Sequence, residues 1–375
     1  MSVACLPIPH SGLIERDRLA VRQETRLLAV IWTAVLGLGL VRTWASRYTV
    51  NADGISYMDM AIAIAEGRWA EAINGYWSPA YPVLLGCVFR VLHPSPAYEA
   101  AVAHGVNFII FALACASFHL LWSELMRIRD ATVRLPPRPT GEATTSLPRW
   151  ALWTLGYGLF AWASMELVTL ARVGPDLLLT AFTYLAAGLI ARLRGGDDRR
   201  RIYILLGLVL GLGYLAKTPM FPLAGVFVVI AGLAGRSRRR SLAGAALAML
   251  IFCMVAGPFV AVLSLQKGRP TIGDSGRINY ALHVSAYDPA YKWHDLEGAN
   301  PLFGWHGEIV GLGTAVHPKR VLHDGPIVEE FDAPVGGSYP FWYDPSWWYE
   351  GLQAKGNPRG QLAAVINSAA AMDDV

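Results

Sequence analysis

Charge is scarce in this chain and lysine scarcer still. Only 16% of the 375 residues are charged, and the lysines are Lys217, Lys267, Lys292, Lys319 and Lys355. Set against 54% hydrophobic residues and a positive mean hydropathy, that shortage excludes an ordinary soluble domain. The cysteines Cys5, Cys87, Cys115 and Cys253 are scattered, with none after Cys253, which excludes a disulfide framework and a zinc-ligand spacing. There is no Walker-type phosphate loop and no glycine fingerprint following a strand, so nothing points to a nucleotide site and no cofactor or metal is expected. No short basic leader with a small-residue cleavage site precedes the first apolar run, which reads as an uncleaved anchor.

What the chain has is apolar length. A helix rising ~1.5 Å per residue needs ~20 apolar residues to cross ~30 Å of hydrocarbon. Seven segments are read as spans, at about 27–46, 97–125, 150–171, 175–193, 202–216, 218–235 and 241–264. The fold class is therefore an all-α polytopic membrane protein of about seven transmembrane helices. Residues 1–264 form the membrane module, with a first outer loop at 47–96, and residues 265–375 form an extracytoplasmic, aromatic-rich segment.

The arginines orient it. Arg16, Arg18, Arg22 and Arg26 lie in the N-terminal tail, and Arg127, Arg129, Arg134, Arg138 and Arg149 in the linker near 127–149. "RLRGGDDRRR" occupies 192–201 and "RSRRR" 236–240. These stretches alternate with basic-poor ones, and basic residues are retained in cytoplasmic loops, so the N-terminus is cytoplasmic and the C-terminal tail outside. All the lysines fall on the predicted outer side. The net charge of +4 gives no reason to expect nucleic acid, because the arginines serve as topology signals and neighbours of membrane lipids.

The first outer loop opens "TVNADGISYMDMAIAIAEGRWAEAINGYWSPAYP" at Thr49–Pro82. Ile55, Met58, Ile62, Ala65 and Trp69 share one broad helical face. The following "SPAYPVLLGCVFRVLHP" opens with prolines and closes at Pro94, too short to cross. Both pieces read as helices lying along the interface, with Tyr76, Trp77 and Tyr81 at headgroup depth. Asp53 sits at the start of the first. As a helix cap, Asn51 or Asp53 accepts hydrogen bonds from the following turn, worth ~1 kcal/mol. As a functional acid, Asp53 needs opposed cations on other outer loops. Those are present: "LARVGPDLLL" places Arg172 beside Asp176 between spans three and four, and "YLAKTPMFP" places Lys217 between spans five and six. A lone cation at a helix end snorkels, whereas several ionisable groups on one membrane face mark a functional site.

These residues resemble the C-type glycosyltransferase superfold, in its protein mannosyltransferase and aminoarabinose transferase branch. The similarity lies in Asp53 with Tyr57 and Ala61 after span one, "WSPAYPVLL" at 77–85, "RVGPDLLL" at 172–179 and "AKTP" at 216–219, covering about residues 27–235. It implies sugar transfer from a polyprenyl-phosphate donor to a hydroxyl on a lipid, glycan or protein acceptor, at the extracytoplasmic side of the inner (plasma) membrane. Asp53 would be the general base, and Lys217 with Arg172 would hold the donor phosphate. Tyr57, Asp59, Trp77, Tyr81 and Asp176 are possible substrate contacts. The chain departs from the family's tandem Asp-Glu, since Gly54 follows Asp53 and the next acid is Asp59, six residues on. Only Asp53 is therefore carried over as base.

Relatives with this architecture continue into further spans after such an outer segment. The resemblance thus implies a truncated or short variant, with 361–371, "QLAAVINSAAA", as the approach to a missing helix. In the tail, "FWYDPSWWYEG" at 341–351 reads as an interfacial aromatic belt in preference to a sugar-contacting lip. His283, His294, His306, His317 and His323 have no metal-ligand spacing. The competing class is a non-catalytic transporter or envelope-assembly protein. No internal repeat supports it, and the charges sit at helix ends and not mid-helix.

Overall fold

The computed structural model describes residues 10–133, 147–235, 237–280, 284, 319–324, 327–331 and 354–373. The main helices are α1 (His10–Ser46), α2 (Ala52–Ala65), α3 (Ala80–Leu92), α4 (Glu99–Val133), α5 (Arg149–Trp162), α6 (Asp176–Arg194), α7 (Arg200–Ala216), α8 (Met220–Ala234) and α9 (Arg238–Gln266). A short α10 (Ser275–Tyr280) and α11 (Pro358–Asp373) follow. The C-terminal segment also holds a two-stranded antiparallel hairpin, β1 (Lys319–Asp324) with β2 (Ile327–Phe331), so the all-α expectation holds for the bundle and not for the whole chain.

Among the described residues, four helices have the length and hydropathy to cross a bilayer: Arg22–Ser46, Pro96–Thr132, Asp176–Arg194 and Arg238–Gln266. The other three expected spans form shorter helices. α7 has 17 residues and α8 has 15; α5 has 14 before a π-helical turn, Ala163–Leu167, takes over its hydrogen bonding. Large apolar side chains on α1, α8 and α9, among them Val41, Trp44, Val229, Leu233, Met254 and Leu265, face outward. In lipid such faces are solvated, and helices associate through close packing. Gly207 and Gly211 of α7 supply it: a Cβ on either would lie 2.4 Å from the Ala248 carbonyl or 2.6 Å from the Val255 side chain on α9.

Contacts between loops define two ends. At one, Arg149 pairs with Glu24 (2.7 Å) and Asp130, while the nearly buried Glu124 receives Arg127 (2.6 Å) and Arg192 (2.8 Å). Arg200 and Arg240 line one cavity there. The part of α1 around Glu24, the two described flanks of the linker at Asp130 and Arg149, and the stretches at 192–201 and 237–240 therefore converge on one end. Several of these arginines hold acids inside the bundle, a role beyond marking topology. At the opposite end lie the turns around Asn51, Arg172, Lys217 and Asp274.

In the first outer loop α2 buries more than the expected face, whose Met58, Ile62 and Ala65 do pack on the core. α2 buries Tyr57, Met60, Ala61 and Ile64 along with Met58, while Trp69 lies beyond it in a short 3-10 turn and is exposed. The reason is that α2 is clasped on two sides. α3 fits against it where Gly86 meets Ile64 and Ala61, and the bundle covers its other flank. Tyr57 packs edge-on against Trp77 (5.1 Å) and Tyr81 (5.2 Å), and all three are buried. The expected headgroup aromatics Trp77 and Tyr81 are thus core residues beneath the mouth. The 341–351 stretch and His283, His294, His306 and His317 lie outside the described residues. α11 covers the 361–371 stretch, with Leu362, Val365 and Ile366 exposed.

Candidate functional site

Asn51 precedes α2 and makes no side-chain cap. Its Oδ1 instead accepts the backbone N–H of Val173, 2.9 Å away across the bundle. A Cβ at position 54 would lie 2.8 Å from Val173 and 2.9 Å from Asn51 Oδ1, so glycine is what permits this approach. The opposing turn is held from below as well: Asn107, buried on α4, donates to the Arg172 carbonyl (2.7 Å) and accepts from the Tyr81 hydroxyl (2.7 Å). The start of α2 and the 172–176 turn are thereby fixed to each other by side chain to backbone bonds, which are geometrically stricter than apolar contact.

Four charged groups result. Asp53 occupies the first turn of α2, where the helix dipole favours a carboxylate, and it makes no hydrogen bond among the described residues. Asp176 opens α6. Lys217 ends α7 in an extended conformation, and its ammonium pairs with Asp176. Arg172 is exposed and forms no ion pair among the described residues. The Asp53 carboxyl stays above its ordinary pKa. Although the residue is exposed, partial loss of water to the surrounding protein is the main cause, followed by attraction to Lys217, repulsion from Asp176 and attraction to Arg172. The same neighbours reach Tyr57, whose hydroxyl burial pushes well above its usual range, with Asp176 and Asp53 adding to the shift.

Asp59 belongs elsewhere. Its carboxyl is pushed up to about 7 by burial and then by Glu99, near the far ends of α2 and α3. A cavity of about 620 Å³ lies there, lined by Ile62, Glu66, Arg90, His93 and Glu99 among others, and it does not include Asp53. The structure therefore brings together Asp53, Arg172, Asp176 and Lys217, places Tyr57, Trp77 and Tyr81 beneath them as support, and separates Asp59.

A further cluster escaped the sequence reading. Asp274, 1% exposed, donates its backbone N–H to the Gly75 carbonyl (2.5 Å) and is flanked by Lys267 (3.7 Å), Arg269 and Arg277 (3.8 Å). The Tyr76 hydroxyl donates to Asn279 (3.0 Å), and the Tyr214 hydroxyl to the Ile272 carbonyl (2.7 Å). Residues 267–280 thus strap the chain leaving α9 onto the loop before α3. The Ser78 and Thr218 hydroxyls, 3.3 Å apart, join that loop to the Lys217 turn. From this level an apolar groove of about 530 Å³ runs down the bundle between Pro79, Val83, Leu215, Pro258 and Phe259.

Among the described residues no group of three His, Cys, Asp or Glu side chains gathers as a metal site. Compared with family models, curated proteins and solved structures, the chain matches none.

Proposed function

We propose that the chain is a membrane glycosyltransferase that moves a sugar from a polyprenyl-phosphate donor to an acceptor hydroxyl on a lipid, glycan or protein. The observation that carries the reading is the convergence of Asp53, Arg172, Asp176 and Lys217 from three separate turns onto one end of an otherwise apolar bundle. In this reading α5 with its π turn, α7 and α8 cross the membrane together with the four longer helices. The mouth lies on the extracytoplasmic side of the inner membrane, because the arginine-rich end is opposite.

The chemistry asks little of the protein beyond placement. The acceptor oxygen attacks the anomeric carbon, the bond from that carbon to the phosphate oxygen breaks, and the polyprenyl phosphate leaves with the bonding electrons. The acceptor proton goes to Asp53, whose raised pKa makes it a better base than an ordinary carboxylate. Lys217 and Arg172 stabilise charge gathering on the phosphate, with Lys217 exchanging its contact to Asp176 for one to the donor. The apolar groove starts at Pro79 and Leu215, directly beside Ser78 and Lys217, and suits an isoprenoid chain whose phosphate sits at the mouth.

The test is reconstitution of the purified full chain in lipid nanodiscs with a panel of polyprenyl-phosphate sugars and membrane-extracted acceptors, followed by mass spectrometry of both. Consumption of one donor with appearance of a glycosylated acceptor is the expected result. A folded protein that consumes none of them contradicts the reading.

A further inference from the structure

At the end of the bundle away from the mouth, the starts of α7 and α9 lie side by side over a cavity of about 560 Å³. Its rim carries Arg199, Arg200 and Arg240 with Asp198, and its wall is Tyr203, Gly244 and Leu247. Arg199 is engaged, bonded to Asp197 at 2.5 Å and 2.6 Å. Arg200 and Arg240 form no ion pair among the described residues, so one rim acid, Asp198, faces two uncompensated cations. Neither helix start is closed by a side chain, since Arg199 and Ser237 make no capping bond, and the free amides there favour an anion.

A second observation points the same way. Tyr203 is 1% exposed, yet its hydroxyl has no hydrogen-bond partner among the described residues. A buried hydroxyl without a partner costs free energy, and the oxygen of a bound group would remove that cost. Gly244 keeps the wall low: a Cβ there would lie 2.6 Å from the Tyr203 ring. Beyond the ring the surface is apolar, with Leu247 and then the outward-facing Leu250 and Met254 of α9 leading along the membrane side of the bundle.

We propose that this cavity is a binding site for an anionic phospholipid. Arg200 and Arg240 hold its phosphate at the starts of α7 and α9, the Tyr203 hydroxyl donates to a headgroup oxygen, and an acyl chain lies along α9. Paired cations above an apolar groove suit a lipid anion, whereas free phosphate would use only the rim. The site lies at the end opposite Asp53 and holds whether or not the mouth transfers sugar.

The test is native mass spectrometry of the full chain in detergent, titrated with phosphatidylglycerol, phosphatidylcholine and inorganic phosphate. One phosphatidylglycerol is expected to bind about tenfold more tightly than phosphatidylcholine, the size of effect a charge-assisted contact supplies. Arg200→Gln with Arg240→Gln should remove the preference, and Tyr203→Phe should weaken it several-fold. Arg26→Gln, in another basic stretch, should leave it intact. Equal binding of the two lipids, a preference surviving the double substitution or lost equally with Arg26→Gln, or displacement of the lipid by inorganic phosphate would each overturn the proposal.

Discussion

Asn51 Oδ1 and the Val173 amide, 122 residues apart in sequence, meet at 2.9 Å. That bond fixes the turn bearing Asp53 against the turn bearing Arg172 and Asp176, so the spacing of the charged groups depends on a neutral residue. Asn51→Ala removes the acceptor and leaves a part-buried amide unpaired, at a cost of about 1–2 kcal/mol. Transfer should fall by about 10- to 100-fold, the effect of small misplacement at a reacting centre, with the protein still inserted at normal level. Activity and membrane abundance measured on the same preparations check this; unchanged transfer would detach Asn51 from the site.

Lys217 and Asp176 act on Asp53 in opposite directions, which gives the pH profile a sign. Transfer requires the ionised base, so its acidic limb should lie above the ordinary carboxylate pKa. Asp176→Asn removes a repelling charge and should move that limb to lower pH. Lys217→Ala removes an attracting charge and should move it up, while raising the donor KM by about tenfold. Rate profiles of the two variants check both shifts, and movement of the limbs in the same direction would contradict the electrostatic arrangement.

Much of this site was legible in the chain. Hydropathy and the alternation of arginines place Asp53, Arg172, Asp176 and Lys217 on one end because a bilayer forces each turn to one side or the other. Contacts within that end are another matter. The stripe Ile55, Met58, Ile62, Ala65 and Trp69 captured only part of what α2 buries, since a helix clasped on two sides has no single apolar stripe to read. Trp77 and Tyr81 carry interfacial chemistry in composition but are buried, because the loop before α3 and the first turn of α3 pack both rings against Tyr57. Asp274 gave no signal at all. Its partner Gly75 is about two hundred residues away in a different loop, and the aromatic-rich tail hid the boundary of the strap.

Removing Asp274 should loosen that strap. Asp274→Ala leaves Lys267, Arg269 and Arg277 facing one another and is expected to destabilise by about 3 kcal/mol, the low end for breaking a buried pair because Arg269 and Arg277 are partly exposed. Limited proteolysis of residues 267–280 should accelerate, and the apparent melting temperature in detergent should fall. Unaltered cleavage would mean the strap is held by its backbone bonds alone.

Asp59 makes stability fall with rising pH. Its carboxyl takes up its proton more readily in the folded chain, with a pKa of about 7 against the ordinary 3.8. The folded state therefore binds more protons between those values, and the stability contributed below pH 3.8 is lost as pH rises to about 7. Melting temperature should decline over that window in the wild type and less steeply in Asp59→Asn. Parallel curves would place Asp59 in a wetter setting.

The most direct test of the central claim is sugar transfer by Asp53→Asn compared with wild type at equal protein level in matched membranes. Asparagine preserves the size of the side chain at the start of α2 but cannot take the acceptor proton. Transfer by the wild type and a loss of about a hundredfold or more in the variant is the predicted result. Equal transfer by both proteins would contradict the assignment of Asp53 as the base.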